Sequence, residues 1–187
     1  MWIKVSLGLD KISNGRVTFL ATVIFLLFLI LILPAQSAKT RMETNNAASP
    51  DMSFFYSTRD LFQMAEAYGE QGRRAYVVTR WSFDFIFPLV YTLFLGTAVS
   101  WVYRKAFAAD SLWQRINLVP VVGMLFDYCE NVTTSIVMLR YPEHTAVVDP
   151  LAPVFTMAKW VFVGGSFLVL FAGIGLDLWR RIQKRNA

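Results

Sequence analysis

The chain has one cysteine and one histidine among its 187 residues, and only 17% of its residues are charged. A single cysteine, Cys129, excludes an intrachain disulfide and leaves the redox compartment undetermined. One cysteine and one histidine also cannot supply the His/Cys sets that usually hold zinc or haem within one chain. The sequence contains no nucleophile elbow, phosphate-binding loop or zinc motif. We therefore predict no metal and no cofactor.

Apolar residues are abundant instead, at 56% of the chain, and the mean hydropathy is +0.45. This composition is too apolar for an ordinary soluble domain, and the length allows one membrane domain, so residues 1–187 are predicted to form a single integral membrane domain. The net charge of +5 comes from Lys and Arg residues that flank the apolar runs. Because they form no continuous basic face, we do not expect a nucleic-acid partner.

Four apolar runs each approach the roughly 20 residues that a helix needs to cross a bilayer. They predict an all-α fold, a bundle of four transmembrane helices over residues 17–34, 81–103, 116–139 and 152–178. Short basic clusters precede the first run, separate the second from the third, and follow the fourth. By the positive-inside rule, both termini are expected in the cytoplasm of a bacterial cell, with residues 35–80 and 140–150 outside the inner (plasma) membrane.

The first run also has a different interpretation. A basic start, an apolar stretch and the small residues of Pro34–Ala38 resemble a secretory signal peptide. Cleavage near residue 37 would leave three spans and an outside N-terminus. The apolar stretch is longer than a typical signal-peptide core, so the transmembrane interpretation is preferred.

The outer loop of residues 35–80 divides into a polar part and a helical part. Residues 39–52 are polar and predict a linker without regular structure. Ser57 or Thr58 can cap a helix of about residues 58–68, which Gly69 ends. Its apolar side consists of Leu61, Met64, Ala65 and Tyr68. This amphipathic helix is expected at the outer membrane surface or over the outer mouth of the bundle.

The third run carries two acids, Asp127 and Glu130, near its centre. Each acid at a helix centre costs about 2.5 to 3.5 kcal/mol on insertion, whereas each Leu, Ile, Val or Phe returns about 0.3 to 0.6 kcal/mol. The eleven such residues from 116 to 139 therefore only about cancel the two acids. This face must lie inside the bundle, against partners or a wet cavity.

Polar residues on the other runs fall at matching depths in the outer half of the bundle. Helical spacing continues from Gly72 into the second run, which Pro88 should kink. Asp84 lies about one turn, Lys159 about two turns, and Glu130 two to three turns from the outer surface, so they are expected to meet. The first run offers only Thr18 and Thr22 and is expected to face lipid. Candidate ligand-binding residues are Asp84, Tyr91, Asp127, Glu130, Asn131, Thr156 and Lys159, with Arg73 and Arg80 at the mouth.

Five short motifs of the sequence together resemble a pattern typical of small, uncharacterised bacterial four-helix integral membrane proteins. The resemblance covers residues 67–160 and is carried by YGxxGR from Tyr68, RxxxDxxxP from Arg80, DxxEN from Asp127, Tyr141-Pro142, and TxxK from Thr156. It implies a recurring protein type and no particular activity. A looser analogy of architecture is to the emopamil-binding and sigma-2 receptor class, small helical bundles with membrane-embedded carboxylates.

Three functions remain open from the sequence. The leading hypothesis is a polar cavity in the outer half of the bundle that binds a lipid or other amphipathic ligand. A second is a membrane enzyme acting on a lipid, with Glu130 or Asp127 as acid/base. A third is a non-catalytic subunit or assembly factor of a membrane complex, in which the polar residues only hold helices together. Expected partners are membrane lipids and, in the third case, a membrane complex or further copies of the chain.

Overall fold

The structure, a computed structural model, describes residues 2–108 and 111–186. This part of the chain is mostly helical and has no strand, which confirms the all-α prediction. The α-helices are α1 Trp2–Ile12, α2 Gly15–Leu27, α3 Leu33–Glu43, α4 Thr58–Arg80, α5 Phe83–Ala106, α6 Val119–Arg140 and α7 Val148–Asn186. Residues 109 and 110 of the predicted cytoplasmic loop lie outside the described residues.

Among the described residues, three helical segments are long and apolar enough to cross a membrane, as expected of a membrane protein. They are Gly15–Glu43, Thr58–Ala106 and Val148–Arg185, which contain the first, second and fourth predicted spans. Helix α6, which contains most of the third predicted span, is not among them. Its two acids and one amide lower its hydropathy, in keeping with the poor insertion expected for this segment alone.

The N-terminal apolar helix is longer than its apolar run predicts. A π-helical turn, Phe28–Ile32, joins α2 to α3, so helical structure is continuous from Gly15 to Glu43. Pro34 has no amide hydrogen to donate, and the wider π turn directly before it takes up this interruption. The linker predicted from residue 39 is therefore wrong at both ends, because α3 includes residues 39–43 and Pro50–Met52 forms a 3-10 turn. The end of the apolar run near Pro34 therefore does not mark the end of the helix, which continues to Glu43.

Helix α4 begins and breaks as its sequence predicts. The Ser57 hydroxyl accepts from the Asp60 amide and the Asp60 carboxylate accepts from the Ser57 amide, a capping box. Gly69 has φ 64°, which interrupts the helix, and helical structure then resumes to Arg80. The predicted helical continuation from here into the second span is found with one break, a two-residue turn between the end of α4 at Arg80 and the start of α5 at Phe83.

Two apolar clusters hold the helices together. The first joins the inner face of α4 to α6 and α7 through buried residues that include Leu61, Val137 and Ala152. The second joins α2, α5 and α7, with Phe25 stacked on Phe94 at 4.7 Å between ring centroids. Helices α6 and α7 share the most extensive contact. Helices α5, α6 and α7 therefore form a packed group, with α2 on α5 and α4 across α6.

Helix α1 was not predicted from the sequence. It packs on α5 and on the 3-10 segment Leu112–Leu118, and residues 116–118 of the predicted third span belong to that segment instead of α6. The contact is centred on the fully buried Asn117, which donates to Ser100 Oγ at 2.8 Å and to Asp10 Oδ1 at 3.2 Å. An isolated helix of this length is marginal in water, so α1 depends on this tertiary contact, which no local pattern reveals.

Candidate functional site

Arg80 lies at the centre of a buried ion-pair cluster, although the sequence placed it at the mouth. It is the last residue of α4 and only 2% exposed. Its Nη1 donates to Asp51 Oδ1 at 2.7 Å and to Asp84 Oδ2 at 2.9 Å, while its Nη2 pairs with Asp51 Oδ2. The guanidinium also stacks over the Tyr76 ring, 4.4 Å from its centroid. Arg80 thus joins the end of α4 to the start of α5 and to the loop before α4 that carries Asp51.

Lys159 is the second cation of the cluster. Its Nζ lies 2.5 Å from Glu130 Oε2 and 3.3 Å from Asp51 Oδ1, and the residue is 5% exposed. The predicted meeting of Lys159 and Glu130 is confirmed. Neither Glu130 oxygen has a hydrogen bond of ordinary geometry, so the contact is best described as a buried ion pair.

Asp51 bridges the two cations and was missed in the sequence analysis. It lies in the 3-10 turn Pro50–Met52, and its carboxylate contacts both Arg80 and Lys159. Burial alone would raise the pKa of the Asp51 carboxyl, but the guanidinium and the ammonium overcome this effect and hold that pKa well below its usual range. Asp51 is therefore a permanent carboxylate at neutral pH. A polar segment without helical periodicity gave no signal for this role.

Asp127 differs from the other three acids of the cluster. Its Oδ2 accepts a hydrogen bond from the Tyr91 hydroxyl at 3.0 Å, and it is 7% exposed. Asp51, Asp84 and Glu130 each lie within 4 Å of a cationic nitrogen. Asp127 has no such partner among the described residues, so it is a nearly buried carboxyl group held by one neutral hydrogen bond.

Asn131 and Thr156 hold neighbouring elements and do not line the cleft described next. The Asn131 side chain donates to the Asp84 carbonyl at 3.1 Å and faces Arg80 Nη1 at 3.4 Å. Thr156 Oγ1 lies 2.9 Å from the Tyr56 hydroxyl, which ties the loop before α4 to α7. Their contacts are those of residues that fix the positions of helices.

A cleft of about 470 Å³ adjoins the cluster. Its charged lining residues are Arg41, Asp51, Arg80, Asp84, Asp127 and Lys159. The candidates Tyr91 and Glu130 lie behind this surface. Arg73 lies apart from it, donating to the Ala65 carbonyl at 3.0 Å with its guanidinium over the Tyr141 ring. Among the predicted site residues the cleft thus brings together Arg80, Asp84, Asp127 and Lys159.

The N-terminal helix supplies a polar wall that was not predicted. Gln36, Ser37 and Thr40 of α3, and Thr44 directly after it, line the cleft. Gln36 Nε2 donates to Thr79 Oγ1 of α4 at 3.3 Å. The expectation that this helix only faces lipid, based on Thr18 and Thr22, is therefore wrong for its C-terminal third. The apolar part of the lining includes Phe83, Phe87, Pro88, Trp160 and Val163.

The charges of the cluster do not balance. Asp51, Asp84, Asp127 and Glu130 are four acids, and Arg80 and Lys159 are two bases; the exposed Arg41 also lines the cleft but forms no ion pair with these acids among the described residues. In a site largely closed to water, such an excess is relieved by protons or by a cationic group from outside. In the part of the chain that the structure describes, no group of three or more Asp, Glu, His or Cys side chains is arranged to hold a metal ion.

Comparison with known proteins finds no matching family model, no similar curated protein and no similar solved structure. Functional inference therefore depends on the geometry of this site.

Proposed function

We propose that four helical segments cross a bacterial inner membrane: α2–α3, α5, α6 and α7. Both termini are then cytoplasmic, and α4 covers the outer end of the bundle. The basic clusters of the sequence support this orientation. The burial of Glu130 and Asp127 supports α6 as an inner helix, because their polar groups are turned away from lipid towards Lys159 and Tyr91.

We further propose that the cleft binds an amphipathic, lipid-like ligand whose ammonium or hydroxyl group donates to Asp127. The single observation that carries this proposal is that Asp127 lines the cleft with no cationic partner among the described residues. A charged donor from the ligand would give Asp127 a cationic partner, as Arg80 and Lys159 do for the other three acids. The apolar wall that includes Phe87, Trp160 and Val163 would hold the ligand's hydrocarbon part.

The volume of the cleft limits the ligand. At about 470 Å³ it lies within the range of 300–1,000 Å³ that is usual for sites binding compounds of drug size. We therefore expect a single-chain amphiphile, or one chain and the headgroup of a larger lipid. Membrane lipids are the expected source of such a ligand.

The test compares Asp127→Asn with the unmodified protein in lipid nanodiscs, with dodecylammonium and dodecanol as probes. Loss of a charged hydrogen bond predicts roughly ten- to a hundredfold weaker binding of dodecylammonium. The control is Asp177→Asn, because Asp177 pairs with Arg181 at the other end of α7 and lies outside the cleft. Equal probe binding by Asp127→Asn and the unmodified protein would contradict the proposal.

The same nanodisc preparations also distinguish the two other candidate functions, a membrane enzyme and a non-catalytic assembly subunit. Because Glu130 faces Lys159 and does not line the cleft, an acid/base reaction would depend on Asp127. Chemical conversion of a bound lipid that stops in Asp127→Asn would identify an enzyme. Failure to bind any amphiphile, together with isolation as part of a membrane complex or homo-oligomer, would instead favour an assembly role.

A further inference from the structure

The segment that carries Asp51, called the strap and defined here as residues 45–57, forms part of the cleft lining through residues 46–49 and 51–53. Two hydrogen bonds anchor it on either side of Asp51. The Tyr68 hydroxyl donates to the Ala48 carbonyl at 2.7 Å, and the Tyr56 hydroxyl lies 2.9 Å from Thr156 Oγ1. Between these anchors, the carboxylate of Asp51 joins the strap to the helices through Arg80 and Lys159. Asp51 thus holds this short loop against the helices by ion pairs.

The two cations do not depend on Asp51 alone. Arg80 also pairs with Asp84, and Lys159 also pairs with Glu130. Both of these acids belong to helices, whereas Asp51 belongs to the strap. If Asp51 moved away, each cation would keep one carboxylate partner, and neither would be left as an isolated buried charge.

The two cations also have donors that Asp51 leaves unused. Arg80 Nε is buried and has no hydrogen-bond partner among the described residues. The Lys159 ammonium has three hydrogens, and its carboxylate neighbours are Glu130 and Asp51. A planar carboxylate offers two oxygens to this set, whereas a phosphate monoester offers three strong acceptors.

We propose that Arg80 and Lys159 form an anion subsite of the cleft, which Asp51 occupies from within the chain and which takes the phosphate or carboxylate of a bound amphiphile. This inference rests on the proposed function and narrows its ligand class. Asp127, with no cation of its own, lines the same cleft. The ligand is then an amphiphile with an acidic group close to an ammonium or hydroxyl group, as in a zwitterionic headgroup.

In this arrangement Asp51 competes with the ligand. A carboxylate tethered by a short loop acts at an effective concentration in the millimolar range, so it weakens binding of any external anion to the same donors. Removing the carboxylate should therefore tighten binding of anionic amphiphiles and should not tighten binding of cationic ones. This difference in sign separates competition from a merely structural role of Asp51.

The experiment measures binding of dodecyl phosphate, dodecylphosphocholine, dodecylammonium and inorganic phosphate in nanodiscs of uncharged lipid. Asp51→Asn should bind the two phosphate-bearing amphiphiles about tenfold more tightly than the unmodified protein, and dodecylammonium no more tightly. Asp51→Glu keeps the tethered carboxylate and should not tighten binding of any probe. Equal effects of Asp51→Asn on anionic and cationic amphiphiles would overturn the inference. If inorganic phosphate binds as tightly as dodecyl phosphate, the hydrocarbon chain contributes nothing. This result would contradict the proposal that the subsite binds an amphiphile.

A second measurement uses the strap with Asp51 intact. Met52 is 72% exposed, so a fluorophore on Met52→Cys in a Cys129→Ser background can report strap movement. Dodecyl phosphate should shift its emission, and dodecylammonium should not; no shift with dodecyl phosphate would contradict displacement of Asp51. If Asp127→Asn leaves dodecylammonium binding unchanged while dodecyl phosphate still displaces the strap, the proposed role of Asp127 fails and the anion subsite stands.

Discussion

Lys159 Nζ and Glu130 Oε2 lie 2.5 Å apart across the contact between α7 and α6, with Glu130 fully buried. An ion pair this deeply buried adds little net stability, because desolvation of both charges offsets their attraction. It does make each residue costly to change alone. The pair therefore fixes how α6 sits against α7 more than it strengthens the fold.

The first prediction follows from this dependence. Lys159→Met leaves Glu130 as a buried charge without a cation and should lower the free energy of unfolding by about 3 to 5 kcal/mol. The double variant with Glu130→Gln should be more stable than Lys159→Met, because it removes the stranded charge. Unfolding by denaturing detergent in mixed micelles measures both. Additive losses would show that the two residues do not interact.

The meeting of these two residues was predictable because both lie on apolar runs to which the basic clusters of the sequence assign a direction. Counting turns from the membrane surface placed them at similar depths, and helical rise is nearly constant. Asp51 could not be found in this way. It lies in a polar segment that has no periodicity, and its partners, Arg80 and Lys159, are 29 and 108 residues away along the chain.

Burial was also harder to predict than position. Arg80 was expected at the mouth because a cation at the end of an apolar run usually reaches water. In the structure the strap and Tyr76 cover it: Tyr76 lies one turn earlier on α4, whereas the strap is a separate segment of the chain. Likewise α1 and the polar wall of α3 depend on which elements pack together, information that local sequence does not contain.

The second prediction concerns the contact between α7 and α5. A Cβ added at Gly173 would lie 2.6 Å from Tyr103 Cε2 and 2.9 Å from Val102 Cγ1. The Tyr103 ring is buried, and its hydroxyl donates to the Val169 carbonyl, so it has little freedom to move. Gly173→Ala should destabilise the protein by about 1 to 3 kcal/mol. Gly165→Ala is the control, because no atom lies within 4 Å of its added Cβ; equal losses in thermal unfolding would contradict the packing argument.

The third prediction tests the attachment of α1. Asn117→Leu removes the amide that bonds to Ser6, Asp10 and Ser100, and leaves these groups unpartnered next to an apolar side chain. Helix α1 should detach, and trypsin should cleave after Lys4 and Lys11 at least several times faster. Gln183→Leu changes an exposed amide elsewhere and should leave cleavage rates unchanged. Equal rates for Asn117→Leu and the unmodified protein would show that α1 is held by other contacts.

The last prediction concerns orientation in the membrane, for which the basic clusters of the sequence are the basis. Single cysteines in a Cys129→Ser background provide the test, because Glu66 and Ala108 are both exposed and lie on opposite sides of the proposed membrane. Glu66→Cys should react with a membrane-impermeant thiol reagent in intact cells, and Ala108→Cys only after permeabilisation. Leu7→Cys, 61% exposed on α1, should behave like Ala108→Cys if the first apolar helix stays in place. If the mature chain lacks the N-terminal segment that carries Leu7, the first apolar run is a cleaved signal peptide. Labelling of Ala108→Cys from outside would reverse the proposed orientation.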